Sequence, residues 1–224
     1  VKFGKIDYLN LLPFHVFLKR SALPSCVKAA IERKKGVPSR LNRDLRAGRI
    51  DAAVISSVES RRKIYRTLDM GIVAKGAVKS VLVRKNSAPK TDAASASSNM
   101  LARALGIKGE VLIGDRALNA YLREGSENFY DLAKIWRERT GLPFVFARFC
   151  YRKNGQIYKR LTRNFMRKKV KIPNYILSRY AETRSIGEDD VKRYLKLITY
   201  RIGAKEKKAL FIFLNRARRL NFKA

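Results

Sequence analysis

The apolar positions of the chain fall into short runs of strand length separated by stretches with helical spacing. Residues 4–9 read as a buried strand. Residues 11–19, with Phe14, Val16, Phe17 and Leu18, read as a short helix started by Pro13. Val27, Ala29 and Ile31 alternate with Lys28 and Ala30, which predicts a second strand over 27–31. Gly36-Val37-Pro38-Ser39 is a turn. Ser39 is expected to cap a helix over 40–47, where Leu41 and Leu45 lie four apart and Gly48 is the stop. Residues 50–55 form an apolar run suited to the middle of a parallel sheet. Ser56-Ser57 closes that run, a helix is expected over 58–64, and 71–73 and 78–83 are further strand candidates.

Residues 85–94 are small and polar, a connector. Ser95-Ala96-Ser97-Ser98-Asn99 leads into a helix over 100–105. Val111-Leu112-Ile113-Gly114-Asp115 is the clearest short strand, and it opens into a helix over 116–123. A helix over 127–139 places Phe129, Leu132, Ala133 and Trp136 on one side, and a strand follows over 144–149. Everything beyond is expected to be helical: 157–168, 174–183 after Pro173, an acid-led helix from Glu188-Asp189-Asp190 to Arg201, and 204–220. Strands alternating with helices predict an α/β fold with a mostly parallel sheet, ending in a helical C-terminal part.

Composition narrows this reading. Hydrophobic residues make up 46%, so the chain is no disordered basic tail. No run approaches the roughly 18 apolar residues of a membrane span, and the first residues are strand-like with interleaved charges. The expectation is a cytoplasmic protein with no membrane partner. Cys26 and Cys150 are far apart and His15 is the only histidine, too few ligands for a structural zinc site. Two free, mostly buried thiols are the simpler reading, with a disulfide as the alternative.

The charge is the outlying property. There are 51 Lys+Arg against 18 Asp+Glu, a net +33, and from residue 151 onward 22 basic residues face five acidic ones. A polyanionic partner and a Lys/Arg-rich enzyme with a small anionic substrate both fit. Arg167-Lys168-Lys169-Val170-Lys171 could track phosphates, yet such runs are usually solvated faces, and no RNA- or DNA-binding signature accompanies it.

Candidate chemistry collects at the C-terminal ends of apolar runs, where open α/β sheets bind ligands. Asn10 follows the first strand, Ser56 and Ser57 another, and Asp115 the run ending at Ile113. Ser80 lies at a crossing between two halves of the chain. Ser97 and Ser98 open a helix, whose free N–H groups suit an anion. The competing reading makes each Ser and Asp an N-cap and no more. Nucleotide-binding glycine motifs and the nucleophile-elbow motif are missing. Asp7, Glu59 and Asp115 are the nearest carboxylates, and nothing in their spacing pairs them. The inventory points to a reaction needing little acid–base help from the protein.

The ordered blocks are similar to one family. Gly4-Lys5-Ile6-Asp7-Tyr8-Leu9-Asn10 with Pro13 resembles the opening of the chorismate dehydratases of the futalosine route to menaquinone. Gly36-Val37-Pro38-Ser39-Arg40-Leu41-Asn42, Gly48-Arg49-Ile50-Asp51-Ala52-Ala53, Ile55-Ser56-Ser57-Val58-Glu59, Ser80-Val81, Ser97-Ser98, Ile113-Gly114-Asp115-Arg116 and Thr140-Gly141-Leu142-Pro143-Phe144 follow in the family's order.

The resemblance implies a two-lobed fold like the type II periplasmic binding proteins. Residues 1–79 would begin lobe 1, 80–145 form lobe 2, and 146–224 return to lobe 1 with C-terminal helices. It implies loss of water from chorismate to give 3-(1-carboxyvinyloxy)benzoate, with no metal or organic cofactor. Asn10 and Ser80 would act in catalysis, and Asp7, Tyr8, Ser56, Ser57, Ser97, Ser98, Gly114 and Asp115 would bind substrate. The short passages before Ser95 and between Ser98 and Val111 depart from the family's pattern and imply a trimmed second lobe. A non-catalytic carboxylate-binding module and a basic nucleic-acid-binding protein are the alternatives. The sequence specifies no oligomeric state.

Overall fold

The computed structural model describes residues 1–220. Its first part runs β1 (Phe3–Ile6), α1 (Leu12–Arg20), α2 (Ser25–Arg33), β2 (Lys35–Gly36), α3 (Pro38–Arg46), β3 (Ala52–Ser56) and β4 (Arg66–Ala74). Then come β5 (Val81–Arg84), α4 (Ala96–Ala104), β6 (Glu110–Ile113), α5 (Gly114–Glu124), β7 (Phe129–Asp131) and α6 (Leu132–Thr140). The chain closes with β8 (Phe144–Tyr151), α7 (Gly155–Arg167), α8 (Asn174–Glu182), α9 (Glu188–Leu195), β9 (Ile198–Arg201) and α10 (Ala204–Arg219).

Two sheets result. The larger has the order β2-β1-β3-β8-β4-β9, and the smaller β6-β5-β7. Strands from the middle of the chain thus make a sheet of their own, and β8 carries the chain back between β3 and β4. The pairing is mixed rather than mostly parallel: β1 runs parallel to β2 and β3, and the other pairings between the named strands are antiparallel. β3 and β4 run in the same direction, joined by a 57–65 connector that holds only a 3-10 turn at Glu59–Arg61, and the antiparallel strand is β8, which returns from the smaller sheet to lie between them.

Several local expectations change for identifiable reasons. Residues 27–31 lie in α2, because Val27 and Ile31 are four apart as well as alternating, and Pro24 precedes the first turn. In α3, Pro38 takes the first turn with Val37 as the extended N-cap, so Ser39 is already helical. Residues 129–131 form β7 because the Asp131 side chain caps α6 by accepting from the N–H groups of Ala133 and Lys134. The acid-led helix stops at Leu195, and 198–201 pair with β4. Cys150 is buried, whereas Cys26 is exposed, and both thiols are free. Among the described residues no helix is long and apolar enough to cross a membrane.

The core is continuous between the sheets. Phe3 stacks on Phe149 at 5.5 Å between ring centres, and Phe14 meets Phe165 edge-on at 5.0 Å. At the other end Trp136 packs on Phe144 and on Phe213 of α10, its indole N–H donating to the Pro143 carbonyl at 3.1 Å. Such fully buried aromatics contribute most per residue to the folding free energy.

His15 is an exception to the apolar filling. It is 5% exposed and its Nε2 has no hydrogen-bond partner among the described residues. Lys5, Lys19, Lys28 and Glu32 surround the small space beside it. Burial, reinforced by Lys5 and Lys19, holds the imidazole well below its ordinary pKa. The unfolded chain takes up a proton near pH 6.5 that the folded chain refuses. This contribution to stability is therefore complete above that pH and declines as pH falls below it, by up to about 1.4 kcal/mol per unit. Urea unfolding between about pH 7.5 and 5.5 is expected to show this slope, and His15→Leu should remove one proton's worth of it. An unchanged slope in the variant would contradict the assignment.

Candidate active site

A cavity lies between the two sheets. Its apolar wall is Ile6 of β1, Ile72 of β4, Phe146 and Ala147 of β8 and Ile198 of β9 on one side, with Val78, Val81 and Ile113 on the other. The polar lining is Tyr8, Asn10, Ser56, Ser80, Ser95 and Ser98, together with the backbone of Gly114. Among the described residues no carboxylate, histidine, lysine or arginine lines it.

The serines share a pattern. Ser56 Oγ, at the end of β3, accepts from Asn42 Nδ2 at 3.4 Å and from the Glu59 N–H at 3.3 Å. Ser80 Oγ accepts from the Tyr194 hydroxyl at 2.9 Å. Ser98 Oγ accepts from Ser95 Oγ at 2.8 Å, while Ser95 caps α4 by accepting from the Ser98 N–H at 3.2 Å. A hydroxyl offers one donor and two acceptor sites. Three oxygens already accepting from the protein leave three hydrogens for the cavity. Beside them stands the N-terminus of α4, whose first-turn N–H groups favour negative charge.

Asn10 supplies the opposite polarity. Its side-chain oxygen is buried without a partner among the described residues, while its backbone is pinned: its carbonyl accepts from the Tyr200 hydroxyl at 2.7 Å. Tyr8 and Gly114 close the cavity together. Gly114 sits at φ +64°, and a Cβ there would stand 3.0 Å from the Tyr8 ring. Burial, with Asp92 and Asp115 nearby, pushes the Tyr8 hydroxyl up to about 12, so it stays a neutral donor.

The family model described as "Menaquinone biosynthesis" matches residues 1–105 and 89–219, together nearly the whole length. The chain belongs to that family. It is 51% identical over 220 residues to a chorismate dehydratase of Campylobacter jejuni, with 98% of each chain covered. It is 27% identical over 197 residues to a chorismate dehydratase of Thermus thermophilus, covering 68% of this chain and 70% of that one. Among solved structures it resembles a protein of Archaeoglobus fulgidus with a TM-score of 0.75 at 14% identity, covering 98% of this chain and 97% of that one. It also resembles the periplasmic aliphatic sulphonate binding protein of Escherichia coli with a TM-score of 0.59 at 13% identity, covering 99% and 88%. At these identities the structural likeness shows a periplasmic-binding-protein-like fold.

Within this family member, the cavity gathers six of the ten residues that sequence reasoning singled out: Tyr8, Asn10, Ser56, Ser80, Ser98 and Gly114. The other four lie outside it. Ser57 points to the opposite side of β3 from Ser56, its hydroxyl donating to the Val145 carbonyl at 2.6 Å. Ser97 turns away along α4 and accepts from the Val58 N–H at 3.2 Å. Asp7 faces Lys35, Tyr180 and Arg184. Asp115 accepts from the Leu9 N–H at 2.9 Å and from Arg184 Nε at 2.5 Å, and burial pushes its carboxyl up against the pull of these donors. Glu59 is buried against Tyr65 and Arg62. Arg160, Lys168, Lys169 and Lys171 line a separate surface groove with Arg20.

The residues that sequence reasoning missed are the ones that orient the lining: Asn42 behind Ser56, Tyr194 behind Ser80 and Tyr200 behind Asn10. Asn42 alone carried a signal, since it ends the Gly36–Asn42 block that resembles the family.

Proposed function

We propose that this chain is a chorismate dehydratase, a hydro-lyase acting without a strong base of its own. The carrying observation is the polarity of the cavity: serine hydroxyls with hydrogens to give, an Asn10 oxygen with nothing to accept, and no carboxylate in the lining. Chorismate is the complement of this set. As a dianion it offers two carboxylates to the serine hydroxyls and the α4 terminus. Its one remaining O–H donor is the ring C4 hydroxyl, which is the group that leaves.

In this reading the Asn10 oxygen accepts from the C4 hydroxyl and holds it in place. The Ser80 hydroxyl donates to the same oxygen as it departs. The C3–H bond breaks, its electron pair becomes the C3–C4 π bond, and the C4–O bond breaks with it. The substrate's side-chain carboxylate takes the C3 proton and passes it to the leaving hydroxide, so that water is released and the ring is aromatic. Aromatisation supplies the driving force. The protein's part is orientation and hydrogen bonding to a charge that develops on oxygen.

The two sheets would belong to two lobes, with 1–79 and 146–224 on one and 80–145 on the other. Free space in the cavity is about 50 Å3, room for about four waters and less than a ring with two carboxylated arms needs. Entry would therefore require the lobes to part, with hinges near 78–83 and 144–149. Purified protein mixed with chorismate is expected to convert the ultraviolet spectrum to that of the aromatic product, confirmed by mass. Chorismate bound but unchanged would leave a binding protein and overturn the reading.

A further inference from the structure

Two buried phenols from one C-terminal segment end on the two residues assigned to the reaction. Tyr194, near the end of α9, is 2% exposed, and its hydroxyl meets Ser80 Oγ at 2.9 Å. Tyr200, in β9, reaches the Asn10 carbonyl at 2.7 Å. Ile198, between them, lines the cavity itself. The segment thus touches the site at three points, although it lies more than a hundred residues from Ser80 in sequence.

The two hydroxyls of the Tyr194–Ser80 pair are not equivalent. Tyr194 is enclosed, and Ser80 Oγ is the only acceptor its hydrogen reaches among the described residues. Ser80 borders the cavity and has a second destination. Both hydrogens are used only if Tyr194 donates to Ser80 and Ser80 donates into the cavity. We propose that Tyr194 is a positioning residue: by filling one acceptor site of Ser80 Oγ, it turns the serine hydrogen toward the substrate and fixes Ser80 as a donor to the departing C4 oxygen. This rests on the chorismate dehydratase reading given above. Burial also raises the Tyr194 pKa, which keeps the phenol a donor throughout the working pH range. A donor bonded to another donor polarises it, so the Ser80 O–H is strengthened as well as aimed.

The backbone around Ser80 is set independently, which isolates the phenol's contribution. The Ser80 carbonyl accepts from the Gly114 N–H at 2.8 Å, and the N–H groups of Val78 and Lys79 are held by Asp131. Removing the Tyr194 hydroxyl therefore frees the Ser80 hydroxyl rotor and leaves its Cα in place.

The test compares wild type, Tyr194→Phe, Ser80→Ala and the double variant, with kcat, KM and melting temperature measured for each. Tyr194→Phe is expected to lower kcat about five- to tenfold, the worth of one hydrogen bond, with KM within about twofold. In the Ser80→Ala background the same change should alter kcat by less than about twofold, because the group it aims is gone. A silent Tyr194→Phe, or an equal loss in both backgrounds, would overturn the positioning role. If Tyr194→Phe does not fold, 3-fluorotyrosine at position 194 keeps the shape and strengthens the donor. It should raise kcat when Ser80 is present and leave Ser80→Ala unchanged, and no effect in either would overturn the proposal. A wild-type chain that leaves chorismate unchanged overturns the dehydratase reading itself. Wild-type turnover without Tyr194–Ser80 coupling overturns only the inference about Tyr194.

Discussion

Asn10→Ala is expected to lower kcat for chorismate by about 100-fold or more while leaving the protein at least as stable as wild type. The two halves of this expectation have one cause. The Asn10 oxygen is buried and accepts from nothing among the described residues, and a desolvated acceptor without a donor costs on the order of 1–3 kcal/mol. Nothing local compensates, because the hydrogen bonds around it serve the backbone: Tyr200 holds the Asn10 carbonyl and Asp115 holds the Leu9 N–H. Truncation removes the unpaired acceptor from the folded protein and, in the complex, removes the only group assigned to receive the C4 hydroxyl hydrogen. Steady-state turnover measured beside urea unfolding checks both halves. Full turnover in the variant would sink the role of Asn10. An activity loss that merely follows a loss of folded protein would make the residue structural.

Much of the fold was legible because sequence and packing agreed. The apolar run ending at Ile55 became β3, buried on both faces, and the Val111–Ile113 run became β6. The misread elements are places where two periods coincide or where a distant partner decides. Val27 and Ile31 fit a strand and a helix equally, and only Ile31 is buried in the outcome. Ile198 continues the helical spacing of Val191, Tyr194 and Leu195, but residues 198–200 are β-branched or aromatic, and 198–201 are taken into the sheet by β4. Mixed pairing is not readable from strand–helix alternation, since it comes from β8 and β9, which return late in the chain to run antiparallel beside β3 and β4.

The site shows the same division at the scale of single residues. Sequence position located Ser56-Ser57 and Ser97-Ser98 as pairs. It could not say which member of each pair faces the cavity, because that depends on strand register and helix phase. Ser56 and Ser98 face in, while Ser57 and Ser97 bond to Val145 and Val58. The phenols behind Ser80 and Asn10 had no local signal. They come from the basic C-terminal third, whose aromatics read as core packing, and their contacts with Ser80 and Asn10 are visible only where the chain folds back.

The turn that presents Ser80 depends on a residue of the smaller sheet, and its removal should have the largest effect on stability. Asp131 Oδ2 accepts from the N–H groups of Val78 at 2.8 Å and Lys79 at 2.7 Å, and its Oδ1 accepts from Ala133 and Lys134 at 3.0 Å each. One carboxylate thereby caps α6 and fixes a turn in which Lys79 adopts φ +60°, a conformation that a residue with a side chain holds only when its surroundings impose it. Asp131→Ala is expected to cost about 3–5 kcal/mol, combining a lost cap of roughly 1 kcal/mol with buried N–H groups left unpaired. Asp131→Asn should recover little. Its single acceptor oxygen can serve one pair of N–H groups, and its NH2 then confronts the other pair. The comparison is Ser95→Ala, which removes a cap and no turn and should cost about 1 kcal/mol. Urea unfolding of the three variants measures the order directly. A loss below about 1 kcal/mol for Asp131→Ala would mean that the turn before Ser80 is held by packing of Val78 and Val81 alone.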